Sequence, residues 1–182
     1  MQDKLIFKLP LAGRPSLTES FGSVHPERSS FEKEWASRRT VDPLRGIRAI
    51  ILKLPQSDAE EHWFPSHHLI PVSPPHGETY PLSLVNESMA VRGLDTSLGH
   101  PDICNGLSEP NQWSVFITIA PVLSGDGIAS YDDQQITAVA MLIRQCWRRY
   151  PNFRYIVGAS EFASEYPTNQ ANLTFPWLVV ME

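Results

Sequence analysis

Tyr131-Asp132-Asp133-Gln134-Gln135 opens the stretch that decides the fold of this chain, which runs on through Arg149-Tyr150-Pro151 to Ile156-Val157-Gly158-Ala159-Ser160. Asp132 predicts a helix N-cap, and Gln135, three residues later, completes a capping box. Apolar residues then recur at helical spacing, at Ile136, Val139, Ala140, Ile143, Cys146, Trp147 and Tyr150. Pro151 helps to end this helix. The apolar residues that follow it predict a buried strand, which ends at Gly158.

Three other stretches predict further strands. Residues 46–54 form a largely apolar run that contains Ile47, Ile50 and Ile51, which is typical of a central strand buried on both faces. Residues 66–72 and 78–84 flank a turn that contains Pro74, Pro75 and Gly77, so they predict a hairpin. Residues 113–119 alternate in polarity and predict another strand. Together with the long helix, these elements predict an α/β domain with a mixed central β-sheet and packed α-helices.

Two stretches are less regular. Ser30-Phe31-Glu32-Lys33-Glu34-Trp35-Ala36-Ser37-Arg38-Arg39 starts with a capping residue and carries acids before bases, so it predicts a short helix. Residues 86–111 are interpreted as a long loop. We expect residues 1–45 to form an N-terminal extension packed on a single folded domain of residues 46–182.

Composition limits the classes of function. The chain has 182 residues, 42% hydrophobic and 19% charged, with a formal net charge of −5. This charge disfavours nucleic-acid binding. The sequence contains no run of about 18 apolar residues, so it predicts no membrane span. The N-terminus lacks the pattern of a cleavable signal peptide. We therefore expect a cytoplasmic protein, or one exported without such a signal, and we expect its two cysteines, Cys104 and Cys146, to be thiols.

The C-terminal third resembles the zinc-dependent N-acetylmuramoyl-L-alanine amidases, the AmpD-like and peptidoglycan-recognition family. The matching residues, in order and spacing, are Tyr131, Asp133, Gln135, Arg149, Tyr150, Pro151, Val157, Gly158, Ser160, Ala163, Phe175 and Trp177. The resemblance extends more loosely to about residue 46. It implies the AmpD-like amidase fold.

The resemblance also implies where a zinc centre would lie. In the family, two histidines and an aspartate bind Zn²⁺ and leave one position for water, and a glutamate assists. The corresponding positions here carry Lys53, Ala159 and Asn169, with Thr118 in place of the glutamate. The family also has a lysine that assists the reaction, and the corresponding position here carries Pro167. We therefore predict a degenerate site with no metal, no cofactor and no catalytic residues.

The positions that would rim this vestigial cleft are Lys53, His68, Arg92, Thr118, Ala159 and Asn169. Phe116 replaces a glycine of the family and predicts a cleft that is shallow or closed. A partner protein could instead use Trp63, which lies beside acidic residues, as an anchor.

Alternative sites are weaker. The histidines His62, His67, His68 and His76 could form a new metal site, but His67 and His68 should point to opposite faces of a strand. A triad of Ser160, His68 and Glu161 lacks a nucleophile elbow. Cys104 with His100 and Asp102 shows no feature that would lower the pKa of the thiol.

The leading hypothesis is a non-catalytic pseudo-amidase, an inactive relative that acts by protein–protein interaction, as a bacterial secreted effector or regulator. The first alternative is a module that binds peptidoglycan fragments without hydrolysing them. The second is a hydrolase with a rebuilt site.

Overall fold

A computed structural model of the protein describes residues 5–9, 36–41, 46–55, 65–125, 129–162, 175–177 and 180, with the backbone alone for 36–41. Trp63, Asn169 and Pro167 lie outside the described residues, and so does most of the expected extension.

The main sheet has six strands: β1 (Ile6–Lys8), β3 (Ala49–Lys53), β4 (His68–Ile70), β5 (Leu82–Ser83), β7 (Ser114–Ile119) and β10 (Tyr155–Gly158). Their order across the sheet is β1-β10-β3-β7-β4-β5. The central four are parallel, and the two edge strands are antiparallel to their neighbours. This is the mixed sheet that the strand patterns predicted. Strand β1 comes from the stretch expected as an N-terminal extension, yet it pairs within this sheet.

Two small sheets accompany the main one. The first pairs β2 (Ala36–Val41) with β6 (Met89–Val91), and the second pairs β8 (Val122–Leu123) with β9 (Ala129–Ser130). Short helical segments lie at Cys104–Gly106, at α1 (Pro110–Trp113) and at Ala159–Glu161.

The long helix α2 (Asp133–Arg149) begins as its sequence predicted. The Asp132 side chain accepts from the Gln135 backbone N–H at 2.9 Å, while the Gln135 side chain accepts from the Asp132 N–H at 3.1 Å. Gln135 is fully buried and also donates to the carbonyl of Ala120 at 2.7 Å, so it joins the start of α2 to the end of β7. The C-terminal end of α2 carries Arg148 and Arg149, which complement the helix dipole.

The main sheet is covered on both faces. On the helix face, Ile50, Leu52, Val115 and Ile117 belong to one buried cluster with the apolar stripe of α2. The opposite face, which we call the loop face, is covered by residues that follow β5 and precede β7. The alternation of side chains along each strand therefore decides which residues meet α2 and which meet the loops.

Two sequence expectations were wrong. The short helix expected over residues 30–39 is contradicted at Ala36–Arg39, which lie in β2. A helix of about ten residues is marginal by its own propensity, and pairing with β6 satisfies the backbone groups of both strands instead. The loop expected at residues 86–111 contains β6, whose three residues are too few to show a period. No helix within the described ranges is long and apolar enough to cross a membrane.

Candidate functional site

The expected site lies at the carboxyl ends of the parallel strands. Lys53 of β3 is in register with Thr118 of β7, and Thr118 is in register with Leu69 of β4. Ala159 directly follows β10 and packs in the loop-face cluster with Ile51. Lys53, Thr118 and Ala159 therefore come together on the loop face, at the edge where open α/β sheets place their ligand sites.

Lys53 is a buried amine. Its side chain is 2% exposed, and its Nζ atom donates to the Pro65 carbonyl at 2.9 Å. The same atom lies 5.3 Å from the centre of the Phe116 ring. Burial lowers the pKa of Lys53 to about 7, and the charge of Asp95 only partly opposes this shift. A group that loses its proton near neutral pH is thus placed inside the site.

Thr118 and Ala159 offer little to a cation. The Thr118 hydroxyl is buried and has no hydrogen-bond partner in the described part of the chain. Ala159 is buried and has no side-chain donor atom. Among the described residues, the site therefore presents the neutral hydroxyl of Thr118 and the methyl group of Ala159 beside the amine of Lys53.

Phe116 fills the part of the loop face next to Lys53, Thr118 and Ala159. Its side chain is fully buried among Ile51, Leu94 and Ala159. Gly93 allows the close approach of the ring, since a Cβ atom there would lie 2.4 Å from Cδ1 of Phe116. The ring thus occupies space that a smaller residue would leave open.

We predict that Gly93→Ala destabilises the protein by about 2 kcal/mol, because a methyl group would overlap a ring that is packed on all sides. Urea denaturation measures the change. The matched control is Gly46→Ala, whose added Cβ meets no atom within 4 Å. If both variants had equal stability, the close packing of Phe116 against Gly93 would be disproved.

His67 and His68 point to opposite faces, as predicted. On the loop face, Nδ1 of His67 accepts from the Phe116 N–H at 2.9 Å, and Nε2 lies 2.8 Å from the carbonyl of Met89. These two bonds require a neutral imidazole with its proton on Nε2. His67 therefore ties β6 to β7.

His68 does not share the loop face with Lys53 and Thr118, so its expected place on the cleft rim is corrected. It is in register with Ile117, whose side chain lies in the α2 cluster. Its Nε2 atom lies 2.6 Å from Oε1 of Glu87. His67, one residue earlier, faces the loop side instead.

Glu87 is the centre of a buried polar cluster that sequence reasoning missed. Its Oε2 atom accepts from Arg149 at 2.8 Å and also from the hydroxyl of Tyr150. Burial alone would raise the pKa of Glu87, but His68, Arg149 and Tyr150 outweigh it and hold the pKa well below its usual range. No periodicity or spacing links residue 87 to the end of α2, so only the fold reveals this contact.

The sequence also singled out Arg92, Cys104 and Glu161. Arg92 follows β6 and is exposed. Burial raises the pKa of the Cys104 thiol to about 11, which is the opposite of what a nucleophilic thiolate needs. Glu161, considered as part of a triad, accepts from the Leu5 N–H at 2.7 Å, while His68 is bound to Glu87.

No protein-family model and no curated protein matches this chain. Solved structures do match. The chain is similar to the N-acetylmuramyl-L-alanine amidase AmiD from E. coli, solved with its substrate anhydro-N-acetylmuramic acid-L-Ala-D-gamma-Glu-L-Lys, with a TM-score of 0.55 and 20% identity over 82% of this chain and 65% of that one. The chain has an amidase-like fold.

AmpDH3 from Pseudomonas aeruginosa also matches, with a TM-score of 0.49 and 23% identity over 68% of this chain and 55% of that one. The chain thus spans less than two thirds of the length of either amidase. The expectation of an AmpD-like amidase fold with a mixed central sheet is confirmed.

The described residues do not fit the zinc ion that the resemblance implies. A catalytic zinc needs three protein ligands with lone pairs, whereas the described positions carry Lys53, Ala159 and, in place of the assisting glutamate, Thr118. The amine of Lys53 donates to the Pro65 carbonyl. Within the described ranges, no three His, Cys, Asp or Glu side chains are grouped to hold a metal ion.

Proposed function

We propose that this protein is a non-catalytic relative of the amidases that acts by contact with another protein. A single observation carries this proposal, namely that Lys53, Thr118 and Ala159 meet where the family would assemble its zinc centre. The Lys53 amine donates to the Pro65 carbonyl and is charged below about pH 7, and neither a threonine hydroxyl nor a methyl group replaces an imidazole. We therefore derive no hydrolytic step at this site.

The packing of Phe116 supports the same proposal. The aromatic ring and the buried residues around it cover the loop face beside Lys53. A substrate would have to displace packed apolar side chains to lie against β3 and β7, and each large side chain loses about 2 kcal/mol on exposure. Binding energy is therefore better gained on another surface.

A second candidate function is binding of a peptidoglycan fragment without hydrolysis. It is favoured by the muropeptide bound to AmiD, whose fold this chain shares. Two chemical groups also support it. The buried hydroxyl of Thr118 has no hydrogen-bond partner among the described residues, and Arg92 is an exposed cation that lies close in sequence to residues of the loop-face cluster. A hydroxyl and a guanidinium suit the carboxylates of a stem peptide.

We predict that the purified protein, incubated with ZnCl2 and the AmiD substrate, releases no stem peptide under conditions in which AmiD itself cleaves completely. Chromatography of the reaction measures cleavage, and calorimetry with the same muropeptide measures binding. Absence of both supports the proposal. Binding without cleavage would favour the second candidate, and zinc-dependent cleavage would overturn both.

A further inference from the structure

An open groove lies on the side of the molecule where the hairpin meets the start of α2. Its volume is about 440 Å³, and it is lined by Glu78, Thr79, Tyr80, Pro81, Asp133, Gln134, Thr137, Ala138 and Met141. This volume lies within the range of about 300–1,000 Å³ that is typical of ligand sites. None of the described side chains that form the site around Lys53 lines this groove.

The groove is a built feature of two elements. The hairpin arm that leads into β5 forms one wall, and the first two turns of α2 form the other. The Thr79 N–H donates to Oε1 of Gln134 at 2.9 Å, which joins the walls. This hydrogen bond, together with the sheet that holds β5, therefore fixes the distance between the two walls of the groove.

The floor and the rim differ in chemistry. Pro81, Ala138 and Met141 are buried or half-buried and give an apolar floor. Tyr80 is 45% exposed, and its hydroxyl donates to Glu78. A large apolar side chain can pack against such a floor and an aromatic wall.

The rim is negatively charged. Glu78 and Asp133 are exposed carboxylates, and none of the nine described residues that line the groove is basic. An ionised carboxylate has about four acceptor sites, so Glu78 can accept from a ligand while it accepts from Tyr80. The groove therefore suits a cationic ligand and repels an anionic one, in keeping with the net charge of −5.

We propose that this groove binds a peptide segment of a partner protein in which arginine or lysine flanks a large apolar side chain. The apolar side chain packs against Pro81, Ala138 and Met141, and the flanking cation pairs with Glu78 or Asp133. The proposal rests on the proposed function, that the protein acts by contact with another protein, and it names the surface and the partner chemistry. Stem peptides of peptidoglycan carry carboxylates and are disfavoured here.

The test is a titration of the full, ¹⁵N-labelled chain with the peptide Ac-Arg-Trp-Arg-NH2, followed by NMR. We expect saturable shifts of the backbone amides of Thr79, Tyr80, Gln134 and Thr137, with a Kd of about 10⁻⁴ M. Rising NaCl weakens the binding, because the ion pairs are exposed. The peptide Ac-Glu-Trp-Glu-NH2 is expected to bind at least about tenfold more weakly.

Variants locate the site. The double variant Glu78→Gln and Asp133→Asn is expected to weaken binding of the basic peptide about tenfold. Thr137→Trp places a large side chain in the groove from an exposed position and is expected to abolish binding. The matched control is Glu109→Gln, which removes one exposed carboxylate outside the groove. Circular dichroism and the NMR spectrum of each free variant confirm that it is folded.

Four results would overturn the proposal: no saturable binding, equal binding of the acidic peptide, shifts that cluster around Lys53 and Thr118, or equal affinity in the wild type and the double variant. Failure here is distinct from failure of the proposed function. Zinc-dependent hydrolysis of a muropeptide would refute the latter while leaving the peptide titration unchanged, and absent peptide binding without hydrolysis refutes only this inference.

Discussion

Replacing Glu87 by glutamine is expected to lower the free energy of unfolding by about 3 kcal/mol at pH 7, because it removes one partner of a buried ionic cluster. Glu87 is 9% exposed and joins the hairpin region to the end of α2 through His68, Arg149 and Tyr150. Without its charge, the remaining partners keep their desolvation cost but lose much of the compensating attraction. Urea denaturation followed by circular dichroism measures the change.

The same carboxylate gives a pH signature. Its pKa is lower in the folded state than the ordinary value of 4.5, so the stability it contributes is complete above pH 4.5 and is lost as the pH falls further. The stability difference between wild type and Glu87→Gln should therefore shrink by about 2 kcal/mol between pH 6 and pH 3. A difference that does not change over this range would contradict the assigned charge state.

Two further variants separate the partners of Glu87. Tyr150→Phe removes the buried hydrogen bond to Glu87 and should cost about 1 kcal/mol. Arg149→Met should cost less than about 1 kcal/mol, because the Arg149 side chain is 57% exposed and the ion pair is partly screened. This order of effects, with Glu87 largest, distinguishes a cluster centred on one carboxylate from a set of independent contacts.

Replacing Lys53 by methionine is expected to raise the free energy of unfolding by about 3 kcal/mol at pH 6, because the buried amine is strongly disfavoured in its charged form. Methionine has a similar length and carries no charge, so it fills the same space beside Phe116. The loss of the hydrogen bond to the Pro65 carbonyl offsets part of the gain. Thermal and urea denaturation measure the difference.

The sign of the pH effect follows from the lowered pKa. Below about pH 7 the Lys53 amine is charged in both states, so the destabilisation is complete, and it declines as the pH rises towards the unfolded value of 10.5. The advantage of Lys53→Met should therefore fall to about 1 kcal/mol at pH 9.

Lys53→Arg is the matched control, because a guanidinium does not lose its proton and should destabilise at every pH tested. An advantage of Lys53→Met that stays constant from pH 6 to pH 9 would show that the amine does not titrate near neutrality.

The sequence predicted those parts of the fold that local patterns encode. The capping box at Asp132 and Gln135 marks the start of α2 through hydrogen bonds between residues three positions apart. The largely apolar run at residues 46–54 indicates a strand buried on both faces, and β3 is buried throughout. The resemblance of the C-terminal third then identified the fold, which supplied the strand order that local patterns do not contain.

Other features depend on distant contacts and could not be predicted. Strand β2 forms because its backbone meets β6, about fifty residues away in sequence, and its own residues favoured a helix. The position of His68 depends on a one-residue alternation along β4, and the sequence alone did not decide which of His67 and His68 faces the loop side. Glu87 acquires its partners only when the hairpin packs against the end of α2.

The resemblance named the positions of the site, and their role stays a prediction. The residues Lys53, Thr118 and Ala159 lie at the ends of neighbouring parallel strands. What the sequence did not show is that Lys53 is buried and that its pKa lies near neutrality, since burial depends on Phe116 and on the segments that cover the loop face. The groove beside α2 was equally hidden, because its two walls are separated by about fifty residues.

The central claim is that this fold no longer assembles a zinc centre, and equilibrium dialysis tests it most directly. The purified protein is stripped of metal with a chelator, dialysed against micromolar ZnCl2 at pH 7.5, and assayed for zinc by mass spectrometry, with AmiD treated in parallel. We predict far less than one equivalent of zinc per chain. One tightly held equivalent, with release of stem peptide from a muropeptide, would contradict the account.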